Sequence, residues 1–70
     1  MPRKVRELVS DLLAAGFRLK QGGKGAHRKF VHPRFRGVLI LSGNAGRDAQ
    51  EYQEKYIEQA IRQVTHEGPR

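Results

Sequence analysis

A chain of 70 residues with 14 Lys and Arg against 7 Asp and Glu is one small, strongly basic domain. At this length only roughly 60% of the unfolded surface is buried, so any core must be single and compact. Cysteine is absent, which excludes a disulfide framework and a thiolate metal site. No apolar run approaches the ~18 residues a membrane span needs. The opening "MPRKVRELVSDLL" carries Glu7 and Asp11 where a signal peptide requires an uninterrupted apolar stretch, so a soluble, cytoplasmic protein is expected.

Val5, Leu8, Val9, Leu12 and Leu13 recur at helical spacing, Pro2 suits a first turn, and Gly16 suits a left-handed stop. Together they predict a helix over residues 2–15. In "GFRLKQ", Phe17 and Leu19 alternate with Arg18 and Lys20, predicting a half-buried strand over residues 17–21. Gly22, Gly23 and Gly25 make a turn. "AHRKFVH" then reads as a second strand, residues 26–32, stopped at Pro33, which cannot donate to a ladder. The β-branched "VLILS" belongs to a third, residues 37–42. After the loop "GNAGRD", Asp48 and Glu51 stand at capping-box spacing. Ala49, Tyr52, Tyr56, Ile57, Ala60, Ile61 and Val64 form a second helical stripe, closed by "HEGPR", which predicts a helix over residues 48–66. The order α-β-β-β-α with short connections implies an α+β fold: one three-stranded antiparallel sheet, both helices on one face, the other face open.

Charge is distributed unevenly along these elements. Between Arg18 and Arg36 lie seven cations and no acid, whereas Asp48 to Glu67 holds five acids answered only by Lys55 and Arg62. A long cationic stretch without neutralising partners is the signature of a surface that meets a polyanion; the bland alternative is a charged face kept for solubility.

His27 sits within that stretch, in "GGKGAHRKF". Alternation along a strand sorts Ala26, Arg28, Phe30 and His32 onto one face and His27, Lys29 and Val31 onto the other. With Phe30 directed at the helices, His27 and Lys29 lie on the open side, and Arg28 points inward unless it snorkels at an edge. An exposed imidazole among cations is a candidate acid–base group for a bound phosphodiester. RNA carries its own nucleophile, the ribose 2′-hydroxyl, so such a group needs no metal or other cofactor. On the residues alone two readings stand: an acid–base group in a cationic cradle, or a solvent-facing histidine that merely adds to a basic surface.

The stretch "VRELVSDLLAAGFRLKQGGKGAHRKFVHP" resembles the HicA family of toxin ribonucleases, whose hallmark is a first helix, then a glycine-flanked "GSH", basic and aromatic residues and "HP". "GNAGRDAQEYQEKYIEQAI" is similar to the C-terminal half of one HicA subgroup, so the resemblance covers nearly the whole chain. It implies the fold of double-stranded-RNA-binding domains and an mRNA-cleaving toxin held inactive by a HicB antitoxin. It assigns the catalytic role to His27, places the family's preceding glycine at Gly25 and puts its basic positions at Arg28 and Lys29. Lys20 and Lys24 complete the expected RNA-binding set. Ala26 departs from the family, which usually has serine directly before the histidine.

Other chemistries have less support. His27, His32 and His66 come without a cysteine or acid at zinc-ligand spacing. A two-metal nuclease needs clustered carboxylates, which the basic half lacks. "SGNAG" has no Gly-Lys-Ser/Thr ending, so it reads as a turn. Tyr52 and Tyr56 have faces that stack on bases, but their place on a helical stripe marks them as core. A non-catalytic RNA-binding module on the same fold is the main rival.

Overall fold

Val5, Leu8 and Leu12, each one helical turn from the next, are buried and set one wall of the core. The computed structural model describes residues 2–20 and 27–65. Its elements run α1 (Val5–Ala14), β1 (Arg18–Lys20), β2 (His27–His32), β3 (Phe35–Ser42) and α2 (Glu51–Thr65). The strands form one antiparallel sheet in the order β1-β2-β3. This is the α+β arrangement expected from the order of the apolar patterns.

α1 begins at Val5 rather than at Pro2, because the segment before it is held extended by the loop that follows β3. Ala49 N–H donates to the Arg3 carbonyl at 2.7 Å, and Lys4 bridges Asp48 through both backbone and a 2.7 Å ion pair. The N–H groups of Val5 and Arg6, orphaned at a helix start, donate to the carbonyls of Arg47 and Ala45. At the other end Gly16 adopts φ +100°. Its N–H donates to Leu13 O and that of Phe17 to Leu12 O, the paired bonds of a Schellman stop.

β3 starts at Phe35, two residues earlier than its apolar run suggests, because Pro33 and Arg34 alone make the turn out of β2. The Arg34 N–H donates to His32 Nδ1 at 2.9 Å. That leaves His32 Nε2 to donate to the Ala15 carbonyl, 3.2 Å away, while the ring stacks on Phe17 with centroids 4.9 Å apart. His32 therefore ties the end of α1 to the β2–β3 turn.

The core lies between the helices and one face of the sheet: Phe17, Phe30, Leu39 and Leu41 against Val5, Leu8, Leu12, Ile57, Ala60 and Val64. Phe30 is fully buried, which stabilises by about 1.5–3 kcal/mol relative to exposure. Three expectations are corrected. Leu13 is exposed, as is Leu19, which faces the core side opposite Phe30 but stands on the short edge strand. Tyr52 and Tyr56 are exposed, because α2 turns Gln53, Ile57, Ala60 and Val64 inward instead. Asp48 does not cap α2, being engaged by Lys4; the Gln50 N–H is capped by the Gln53 side chain at 2.9 Å.

Candidate nucleic-acid interface

The register of the sheet decides which side chains share its uncovered face. His27 is opposite Ser42, Lys29 is opposite both Lys20 and Ile40, and Arg18 is opposite Val31. Directly opposed residues project to the same side, so Arg18, Lys20, His27, Lys29, Ile40 and Ser42 occupy one surface. Arg18, Lys20, His27, Lys29 and Ile40 are exposed; Ser42 is half-buried. Val38, two residues before Ile40, adds a second exposed apolar group to the same strand.

No carboxylate joins that surface among the described residues. The acids are used elsewhere: Glu7 and Asp11 bind Arg3, Asp48 binds Lys4, Glu51 binds Lys55 and Glu58 binds Arg62. Arg18, Lys20 and Lys29 have no ion-pair partner among the described residues. Cations placed opposite each other without counter-charge repel, so an approaching polyanion is attracted to the face as a whole.

The expected site residues divide. His27, Lys20 and Lys29 are brought together, the two lysines on adjacent strands and the histidine two residues along β2 from Lys29. Arg28 is not with them. It faces the core side opposite Leu41 and escapes burial by extending its guanidinium to the Gly43 carbonyl, 3.2 Å away. That is the snorkelling geometry, and it makes Arg28 a clamp on the end of β3 instead of part of the open surface. Lys24 and Gly25, with Ala26, lie outside the described residues. His27 and His32 stand on opposite faces of β2, so they do not form a common ligand set.

Two participants escaped the sequence reading. Ser42, by its sequence no more than a strand end, is the cross-strand neighbour of His27. Gln53 holds Ser42 in place: its amide N–H donates to the Ser42 carbonyl at 2.9 Å while its Oε1 accepts from Gln50 N–H. A glutamine within an apolar stripe was the available signal, since a buried amide must find partners on both ends.

Among the described residues no helix is long and apolar enough to cross a membrane. No curated protein and no solved structure gives a significant match to the chain. One family model does match, described as the HicA toxin of bacterial toxin-antitoxin, and it spans residues 5–65, from the first residue of α1 to the last of α2. The chain therefore belongs to the HicA family of bacterial toxin–antitoxin toxins.

Proposed function

We propose that this toxin is a metal-independent endoribonuclease that cuts mRNA on the open face of its sheet, with His27 as the general acid/base. The supporting observation is the exposure of His27 on the same surface as Lys20 and Lys29, with no acid beside it among the described residues. RNA laid on that surface places its phosphates against the cations. His27 takes the proton of a 2′-hydroxyl, the 2′-oxygen bonds to the adjacent phosphorus and the bond from phosphorus to the 5′-oxygen breaks. The proton returns from the ring, directly or through a water, to the departing 5′-oxygen. The products are a 2′,3′-cyclic phosphate and a 5′-hydroxyl end. One positioned acid–base group supplies about 10²–10⁴-fold in rate. The lysines add to this by favouring the extra negative charge of the five-coordinate phosphorus. Lys24, Gly25, Lys29 and Lys20 make up the proposed RNA cradle; Arg28 contributes by holding the strand end.

The test is His27→Ala in the purified toxin freed of antitoxin. Cleavage should fall by at least ~100-fold, with RNA affinity retained, and the parent's products should carry cyclic phosphate ends. With ~5 phosphates contacted, log affinity should fall against log salt with a slope near −3.5. A parent that binds RNA with that slope but leaves it uncut is a binding module on the same fold.

The same face is the proposed docking surface of a HicB-type antitoxin. Ile40 is 51% exposed and Val38 stands nearby, so a partner that brings apolar groups and acids together meets both the apolar strip and the cations. Such a cover both neutralises the field and closes access to His27. Chemical modification of His27 should be blocked in the complex; an inhibited complex whose His27 still reacts freely rules out masking.

A further inference from the structure

Where β3 ends against the starts of α1 and α2 there is a cavity of about 210 Å³, lined by Val5, Ser42, Gly43, Arg47, Tyr52 and Gln53, among others. Three observations distinguish it. It begins at the cross-strand partner of His27, one inter-strand spacing of roughly 4.8 Å away. Tyr52, in its lining, is 67% exposed, the most exposed large apolar or aromatic side chain among the described residues. Arg47, also exposed, makes no ion pair among the described residues, and Arg6 lies close by, its Nη1 3.8 Å from where a side chain on Gly46 would begin. The nearby acids are engaged: Asp48 by Lys4 and Glu51 by Lys55.

Exposed tyrosine needs a reason here. Turning Tyr52 inward would have buried a large apolar group, yet the helix buries Gln53 in its stead. Gln53 then fixes the Ser42 carbonyl, so the rim is built rigidly from the same residue that orients the strand end. An exposed tyrosine and an arginine without an ion pair among the described residues, lining one cavity, offer a stacking face and a phosphate contact to an unstacked nucleotide. Single-stranded RNA is recognised in this way.

We infer that Tyr52 and Arg47 form a nucleotide subsite flanking the scissile position, in which Tyr52 stacks on a base of single-stranded RNA and Arg47 holds the adjoining phosphate. This rests on the open face being an RNA surface and names the residues that position the strand on it. Tyr52 is a positioning residue: it holds the base next to the reacting ribose and takes no part in proton transfer.

The experiment uses the full chain carrying His27→Ala, so that bound RNA stays intact, and a fluorescently labelled single-stranded RNA of eight nucleotides. Adding Tyr52→Ala should weaken binding roughly 5- to 150-fold, the equivalent of one lost base stack, without changing the salt slope. Tyr52→Trp should restore it. Arg47→Ala should weaken binding and reduce the salt slope by about 0.7, one phosphate contact. Tyr56→Ala, one turn further along α2 and outside the cavity lining, should leave affinity within twofold. The circular dichroism of each variant serves as the folding control. If Tyr52→Ala binds as tightly as its parent, or if Tyr56→Ala loses as much, the subsite is wrong while the RNA surface stands. If the His27→Ala parent itself does not bind RNA, the functional reading fails and the subsite with it.

Discussion

Lys20 and Lys29 are directly opposed across β1 and β2, on the uncovered side of the sheet and without an acid between them. Like charges at directly paired positions destabilise a ladder. A fold selected only for stability would have no use for the pair. Lys20→Glu should therefore raise the denaturation midpoint, by turning repulsion into an ion pair, and at the same time weaken RNA binding. An opposite sign in either measurement contradicts the reading of this pair as a polyanion contact.

The two histidines of β2 should separate stability from chemistry. His27 is exposed and has no hydrogen bond among the described residues, so His27→Ala should change stability by no more than about 0.5 kcal/mol while removing cleavage. His32 is hydrogen-bonded through both ring nitrogens and stacked on Phe17. His32→Ala should cost about 1–3 kcal/mol, seen in urea unfolding, and leave the cleavage rate of the remaining folded protein close to that of the parent.

Gly16 has two independent reasons to be glycine. Its φ of +100° strains any other residue, and a Cβ there would lie 3.0 Å from His32 Nε2. The backbone strain alone is about 1–2 kcal/mol. Gly16→Ala should lower the melting temperature by roughly 4–8 °C for each kcal/mol, with the His32 contact to Ala15 lost as well. An unchanged melting temperature would mean that the α1 stop relaxes without cost.

Gln53→Leu tests the link between α2 and the site. The substitution keeps much of the volume of a residue only 8% exposed but removes the bonds to Ser42 O and Gln50 N. Leaving those groups unpaired should destabilise by about 1–3 kcal/mol. Because Ser42 is the neighbour of His27, cleavage at a temperature where the variant is fully folded should also fall; full activity there would show that the strand end holds itself.

Much of this architecture was legible in the amino-acid order. The α-β-β-β-α succession follows from two helical apolar stripes around three short strand patterns, and the stop at Gly16 follows from glycine's tolerance of positive φ. The face carrying His27 and Lys29 follows from Phe30, because a strand has only two sides and the large aromatic claims the dry one. Less was legible where a residue is amphipathic. Tyr52 and Tyr56 fit an apolar stripe as well as Gln53 fits a polar one, and only the rotation of α2 against β3 decides between them. Arg28 is equally ambiguous by residue type, and the Gly43 carbonyl within its reach decides its place.

What the residues determined by themselves is local: periodicity, breakers and an excess of positive charge with a histidine inside it. Which cations lie side by side is not local. The pairings of Lys20 with Lys29 and of His27 with Ser42 depend on strand register, and register depends on how the whole apolar set closes over the sheet. A shift of one residue would have sent His27 into the core and Phe30 into water, so it is the packing of distant side chains that places the imidazole where an anionic strand can meet it.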